Sequence, residues 1–118
     1  MAGEVSFIEF GVGDTEKGRA FYEGLFGWTF EQGPSGNGFA IETPNVPGGM
    51  HGGDEGGAAC VFYAVDDIDR SIARVRELGG QIVELEIEGD EGSVTRFGRF
   101  KLCTDHQGST FGLHQPPD

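Results

Sequence analysis

The chain has 118 residues, close to the usual length of one domain, so we expect one compact core. Twenty acidic against eight basic residues give a formal charge of −12, which repels nucleic-acid phosphates and anionic membranes. Because no apolar run approaches the ~20 residues that cross a bilayer and the N-terminal residues lack signal-peptide features, we expect a soluble, cytoplasmic protein without nucleic-acid or membrane partners.

Apolar spacing and turn residues predict a strand, a helix and three further strands in the first half of the chain. A largely apolar run predicts a strand at Val5–Val12. Asp14 is well placed to cap a helix that ends at Gly27. The strands that follow are expected at Trp28 and Phe30, around 38–43 and around 48–52.

The second half of the chain repeats this order. A strand is expected at Cys60–Val65, and Asp67 is placed to cap a helix that ends at Gly79 or Gly80. Two free cysteines, Cys60 and Cys103, are expected rather than a disulfide. The later strands are predicted at Val83, Leu85 and Ile87, around 94–104 and around 109–115.

The chain contains an internal repeat. A shift of 53 residues aligns Phe7–Glu31 with Cys60–Glu84 without a gap, and six of the 25 pairs are identical. Chance would give about one or two identities, so the repeat indicates duplicated modules. We place the modules at 4–53 and 58–116, each with the order β, α, β, β, β, within a single domain of residues 1–118.

Several short motifs resemble the vicinal oxygen chelate superfamily, which contains glyoxalases, bleomycin resistance proteins and dioxygenases. The likeness extends from about residue 4 to 116 and combines motif order, spacing and the repeat. It implies an α+β fold in which two βαβββ modules form a cupped mixed sheet around a cleft, with the helices outside. The motifs are Gly13-Asp14, Ala20-Phe21-Tyr22, Leu25-Phe26-Gly27-Trp28, Val65-Asp66-Asp67, Leu78-Gly79-Gly80, Gly98-Arg99-Phe100, Thr104-Asp105 and Phe111-Gly112-Leu113.

The resemblance also implies where a metal would bind. In metal-dependent members, the first and last strands of each module supply His, Glu or Gln ligands. The corresponding positions here are Phe7, Gly49, Cys60 and Gly112. Because these residues do not supply a converging set of oxygen and nitrogen donors, we expect no metal cofactor at the usual site.

Strand alternation predicts which side chains face the cleft. If Phe7 faces it, Glu9 does too, and Cys60 and Phe62 do so in the second module. Together with Phe100, the two phenylalanines would line a pocket for a flat ligand. The alternative is that these rings fill the space a metal has left. Cys60 has a catalytic alternative as a nucleophile, but a buried and inert thiol fits the sequence better.

Three polar side chains are candidates for chemistry. Glu9 is a candidate general acid or base, since apolar surroundings raise a carboxyl pKa; its structural alternative is a salt bridge to Arg96 or Arg99. His51 and His114 each follow a former ligand glycine by two residues. They are candidates for ligand binding or for a displaced divalent-metal site, and simple exposed residues are the alternative.

The preferred interpretation is a metal-independent protein that binds a small, aromatic or amphipathic molecule, to sequester or transform it. The first alternative is a metal-dependent lyase or isomerase of the glyoxalase type, with a site rewired to His51, His114 and Glu9. The second is a non-catalytic interaction module. We also expect a homodimer, because relatives with this module pair commonly associate and short edge strands need covering.

Overall fold

A computed structural model of the chain describes residues 3–33, 38–83 and 91–117. These residues form eight strands and three helices of the predicted α+β class, with both parallel and antiparallel strand pairs. The strands are β1 (Val5–Gly11), β2 (Thr29–Gln32), β3 (Gly38–Glu42), β4 (Gly48–His51), β5 (Ala59–Ala64), β6 (Gln81–Ile82), β7 (Arg99–Thr104) and β8 (Thr110–Gln115). The helices are α1 (Thr15–Phe26), α2 (Ile68–Glu77) and α3 (Glu91–Phe97).

The first of two compact units comprises Phe7–Cys60. Within it β2, β3 and β4 pair antiparallel, and β1 pairs with β4 in parallel. Helix α1 packs on one face of these strands, where the ring of Tyr22 lies 5.3 Å from that of Phe10. Buried Gly18 of α1 approaches Met50 so closely that a Cβ at Gly18 would lie 2.9 Å from the Met50 sulfur.

The second unit combines residues 3–6 with the described residues after Cys60. Its strands follow the same plan, because β6, β7 and β8 pair antiparallel and β5 pairs with β8 in parallel. A buried core of Ile68, Cys103 and Leu113 joins α2 to β7 and β8. Neither cysteine forms a disulfide, as predicted, and Cys103 is fully buried in this core.

The predicted helix ends are confirmed in both units. The carboxylate of Asp14 accepts a hydrogen bond of 3.1 Å from the backbone N–H of Lys17, and Asp67 accepts an equivalent one from Arg70. These bonds satisfy backbone donors that the first helical turn leaves without partners. Gly27 takes the left-handed conformation that ends α1, with φ at 72°.

One predicted strand is wrong at its start. Residues 94–97 belong to helix α3, and strand β7 begins only at Arg99. Gly98 explains the change of direction, since its φ of 91° suits glycine and its N–H bonds to the carbonyl of Val94. The strand predicted at Val83, Leu85 and Ile87 lies mostly outside the described residues; within them, the corresponding strand is β6.

Among the described helices, none combines the length and the apolar character that crossing a membrane requires.

Candidate functional site

Side chains of β1 cover Gly49, one of the positions at which the family resemblance implies a metal ligand. Glu9 lies opposite Gly49 in the parallel pair of β1 and β4. A Cβ at Gly49 would lie 2.5 Å from Oε1 of Glu9 and 3.1 Å from Cζ of Phe7. Phe7 is only 8% exposed. The carboxylate and the ring therefore occupy the space that a larger residue at position 49 would need.

The imidazole of His51 lies between two carboxylates. Its Nδ1 is 2.7 Å from Oε2 of Glu9, and its Nε2 is 3.1 Å from Oδ2 of Asp54. Carboxylate oxygens only accept hydrogen bonds, so both contacts are hydrogen bonds when both ring nitrogens carry protons. The side chains of His51 and Asp54 are each 49% exposed, whereas that of Glu9 is 27% exposed. The arrangement connects a largely buried carboxyl to solvent through an imidazole.

The electrostatics of this arrangement favour a bound proton. Burial raises the pKa of the Glu9 carboxyl, and the hydrogen bond and charge of His51 oppose that shift only in part. Burial by itself would lower the pKa of His51, but the hydrogen bonds and charges of Glu9 and Asp54 outweigh it and raise the pKa. The pair therefore holds protons to higher pH than isolated side chains would.

Cys60 lies in the electrostatic field of the same carboxylate. Burial raises the pKa of its thiol, and the negative charge of Glu9 raises it further. A thiol held in its protonated form is a poor nucleophile and a poor metal ligand. The environment therefore agrees with an inert cysteine.

In the second module an aromatic ring covers the equivalent glycine. Phe62 lies opposite Gly112 in the parallel pair of β5 and β8, and a Cβ at Gly112 would overlap the Phe62 ring. The edge of this ring meets Phe100, with ring centroids 5.4 Å apart. Phe100 in turn stacks on His114, with ring centroids 4.4 Å apart and planes 3° from parallel. These three rings form a continuous aromatic cluster.

His114 is buried and held by two hydrogen bonds. Its Nε2 lies 2.7 Å from the carbonyl oxygen of Phe97, so Nε2 must carry the proton. Its Nδ1 lies 2.8 Å from the hydroxyl oxygen of Ser6, which can then donate to it. Burial lowers the pKa of His114, and the bond to Phe97 opposes this only in part. The geometry and the pKa direction both favour a neutral ring.

The two modules thus differ in chemistry at equivalent positions. The first-strand side chain that covers the glycine is a carboxylate at Glu9 and a phenyl ring at Phe62. The histidine two residues later is exposed and has a raised pKa at His51, whereas it is buried and has a lowered pKa at His114. One module has an exposed polar histidine beside a carboxylate, and the other has a largely buried aromatic cluster.

The residues at the positions where the resemblance implies ligands do not fit a divalent metal. Phe7 has no donor atom, and Gly49 and Gly112 are covered by neighbouring side chains. The raised pKa of Cys60 disfavours the thiolate that would bind a metal. Within residues 3–33, 38–83 and 91–117, no group of three or more His, Cys, Asp or Glu side chains is arranged to hold a metal ion.

Glu9 does not form the salt bridge to Arg96 or Arg99 that was its structural alternative. Its ion pair is with His51, at 2.7 Å. The guanidinium of Arg99 instead forms a bidentate salt bridge with the carboxylate of Asp69 in α2, with N–O distances of 3.0 and 3.1 Å. The guanidinium of Arg96 lies 4.7 Å from the centre of the Phe97 ring.

Sequence reasoning did not find Asp54 or Ser6. Asp54 lies in a glycine-rich turn, where its spacing of three residues from His51 was the only available signal. Ser6 is 108 residues from its partner His114, and no local pattern predicts such a contact.

A family model described as the glyoxalase, bleomycin resistance protein and dioxygenase superfamily matches residues 5–113. In sequence, the chain is 30% identical over 73 residues to "Putative glyoxylase CFP32" of Mycobacterium bovis, and equally to the protein of that name from Mycobacterium tuberculosis. The matched stretch is 62% of this chain and 23% of the relative, so the chain spans less than a quarter of the curated relatives it matches.

Solved structures share the fold at low sequence identity. The hypothetical protein BH1468 from Bacillus halodurans C-125 has a TM-score of 0.70 at 15% identity, over 98% of this chain and 96% of that one. A methylmalonyl-CoA epimerase variant from Streptomyces coelicolor, in complex with 2-nitronate-propionyl-CoA, has a TM-score of 0.65 at 14% identity, over 98% and 99%. The 2,2',3-trihydroxybiphenyl 1,2-dioxygenase of Sphingomonas wittichii strain RW1 has a TM-score of 0.66 at 13% identity, over 100% of this chain and 42% of the dioxygenase.

Proposed function

This chain belongs to the glyoxalase, bleomycin resistance protein and dioxygenase superfamily, and we propose that it binds a small aromatic or amphipathic molecule without that superfamily's usual metal. The observation that carries the proposal is the covering of both former ligand glycines, Gly49 by the carboxylate of Glu9 and Gly112 by the ring of Phe62. A ligand residue introduced at either position would collide with its neighbour. Organic side chains here lie where the resemblance implies metal ligands, which supports binding of an organic molecule without that metal.

The candidate residues of each module indicate the class of ligand. In the first module they are the buried ring of Phe7 and the polar pair Glu9 and His51. In the second module they include Phe62 and Phe100, whose ring centroids lie 5.4 Å apart. Small-molecule sites are usually apolar, with few polar groups that orient the ligand. Glu9 and His51 are the polar groups proposed for that role. A flat molecule with one hydrogen-bonding group matches this combination.

The proposal covers two cases: the protein only binds the molecule, or it also catalyses a reaction of it. A relative is named as a glyoxylase, and structural neighbours include an epimerase and a dioxygenase. If this chain is an enzyme, we expect lyase or isomerase chemistry of the glyoxalase type. We place this activity in the cytoplasm and in a homodimer.

A metal-dependent activity with a rewired site is the weaker alternative. It would use His51 and His114, but both ring nitrogens of each histidine take part in hydrogen bonds. A metal would have to replace one hydrogen bond at each ring before it gained that ring's nitrogen as a ligand.

An interaction module is favoured by a different observation. Three large apolar side chains of α1 are exposed, with Phe21 at 64%, Leu25 at 59% and Phe26 at 55%. Exposed apolar groups of this size often mark a surface that another protein covers. This alternative replaces ligand binding only if the protein binds no small molecule.

A thermal-shift screen of flat aromatic and amphipathic compounds, combined with metal analysis of the purified protein, tests the proposal. We expect at least one compound class to raise the melting temperature, no stoichiometric divalent metal, and no change of melting temperature with a chelator. Phe100→Leu should reduce the ligand-induced shift. Phe39→Leu, a partly buried ring that contacts Phe30 outside the site, is the matched control and should retain it.

Two results would contradict the proposal. Stoichiometric Zn, Ni, Mn or Fe that is lost in a His51→Gln or His114→Gln variant would favour the rewired metal site. A screen in which no compound raises the melting temperature would favour the interaction module.

A further inference from the structure

Asp54 is seated between glycines that leave room for its carboxylate. A Cβ at Gly57 would lie 2.5 Å from Oδ2 of Asp54, and one at Gly11 would overlap the same oxygen. No other residue type at these two positions would leave the carboxylate where it is. The glycines therefore leave the space in which Oδ2 lies 3.1 Å from Nε2 of His51.

The backbone of the same turn is tied to the end of β1. The N–H of Asp54 bonds to the carbonyl of Val12 at 2.9 Å, and the N–H of Gly53 bonds to the carbonyl of Gly13 at 3.1 Å. The carbonyl of Asp54 accepts a further bond from the N–H of Gly57. An exposed side chain would otherwise sample several rotamers, but this backbone limits where its carboxylate can go.

Glu9 lies on the other side of the His51 ring, and a glycine also leaves room for its carboxylate. Its Oε2 bonds to Nδ1 of His51, and its Oε1 lies against Gly49, where the missing side chain leaves space. Glu9 lies on the face of β1 opposite Phe10, which packs on α1. The three side chains form one line of hydrogen bonds, from the turn through the imidazole to the carboxyl beside Phe7.

We propose that Glu9, His51 and Asp54 form a metal-free acid–base unit, in which Glu9 exchanges a proton with the bound molecule and Asp54 is the positioning residue for His51. The inference rests on the proposed small-molecule binding and deepens it, because it names the groups that meet an acidic or basic group of the ligand.

The unit can take up and release protons without a metal or another co-reactant, because each proton gained at one group is lost at another. Before transfer, two carboxylates and one imidazolium give a net charge of −1. When Glu9 takes a proton from the ligand, His51 releases one to water, and the unit again has a net charge of −1. The reverse steps protonate the ligand. The exposed His51 is therefore the connection between the buried carboxyl and solvent.

Other titratable groups close to the unit influence it through their charge. The thiol of Cys60 lies within the field of Glu9 and remains protonated, so it adds no charge. Glu55 follows Asp54 in the turn and lies beside Gly13, where a Cβ would be 3.4 Å from the Glu55 Cβ. Glu55 has the same charge as Asp54 but is not hydrogen-bonded to His51, so it provides a matched control.

Nuclear magnetic resonance titration of the ligand-free protein tests the unit. The probes are the Cε1–H group of His51 and the side-chain carboxyl carbon of Glu9. We expect His51 to titrate above ordinary histidine, and Asp54→Asn to lower its midpoint by about half a pH unit or more. His51→Gln should move the Glu9 midpoint to higher pH, since it removes a hydrogen bond and a positive charge.

Glu55→Gln should leave the His51 midpoint nearly unchanged, and the His114 resonance should be unaffected by Asp54→Asn. The proposal is wrong if Asp54→Asn and Glu55→Gln shift His51 equally, or if His51 titrates as an ordinary exposed histidine. Because no ligand takes part, this outcome is separate from the ligand screen: binding without the unit would leave the proposed function intact.

Discussion

At the scale of single residues, Gly112 and Gly49 have the same position in their modules but tolerate change differently. A methyl group at Gly112 would overlap the rigid ring of Phe62, whereas one at Gly49 would meet the flexible end of Glu9. We expect Gly112→Ala to destabilise the protein by about 1 to 3 kcal/mol and Gly49→Ala by clearly less. Urea unfolding of the two variants measures the difference. Equal losses would show that Glu9 is held as rigidly as the ring.

Phe7 lies at a position where the family resemblance implies a metal ligand, so Phe7→His introduces one ligand type. We expect this variant to lose about 1 to 3 kcal/mol of stability, because a smaller polar ring replaces a phenylalanine that is 8% exposed. Tight metal binding should not return, since Gly49 still has no donor and Cys60 still holds its proton. Calorimetric titration with Zn or Ni checks this, with Phe7→Leu as the control for lost volume. Binding of a metal with submicromolar affinity would contradict the expectation.

At the scale of elements, the two aspartate caps should contribute equally to stability. Asp14→Ala and Asp67→Ala each remove the acceptor for an N-terminal backbone donor, and we expect each to cost about 1 kcal/mol. Asp14→Ser is the control, because a serine hydroxyl can accept the same bond. Thermal unfolding of the three variants measures the effect. A serine variant as unstable as the alanine one would show that the charge matters more than the cap.

The last strands of the two modules, β4 and β8, carry histidines with opposite effects on pH-dependent stability. The pKa of His51 is raised above 6.5, so its contribution is present below that pH and is lost as pH rises through the folded-state pKa. The pKa of His114 is lowered from 6.5, so its contribution is present above that pH and is lost as pH falls through the folded-state pKa.

We therefore expect His51→Gln to remove a decline of stability above pH 6.5, and His114→Gln to remove a decline below it. Urea unfolding of each variant between about pH 5 and 8 measures the two slopes. If both variants change the slope in the same direction, the assignment of a raised pKa to His51 and a lowered pKa to His114 is wrong.

The elements show where sequence reasoning works and where it stops. The capping aspartates, the terminal glycines and the alternation of β1 were predictable, because they depend on residues within one or two turns of the chain. Helix α3 was not, since it has only seven residues and two of them, Val94 and Thr95, are β-branched residues that also suit a strand. Glu9 and His51 were predicted as candidates separately, but their hydrogen bond depends on the parallel register of β1 and β4.

At the scale of the whole molecule, the sequence predicts a homodimer, and α1 carries the exposed apolar side chains that such an association could cover. We expect light scattering to give a dimer mass at micromolar concentrations. Phe21→Ser combined with Phe26→Ser should weaken that dimer if α1 lies in the interface. Leu78→Ser, which changes a residue that is 63% exposed beyond α2, is the control. A monomer mass over this concentration range would make the dimer prediction wrong.

The seating of Glu9 against Gly49 has a consequence for the evolutionary history of this chain. A glycine codon is one base change away from aspartate or glutamate, so a carboxylate at position 49 needs only one mutation. The Cβ of that residue would lie 2.5 Å from Oε1 of Glu9, so the flexible end of Glu9 would have to move and its hydrogen bond to His51 would be disturbed. The neighbouring ring of Phe7 has no donor atom, so the new carboxylate would still lack a ligand beside it. One base change at position 49 is therefore not enough to create a metal site, and substitutions at Glu9 and Phe7 would have to accompany it.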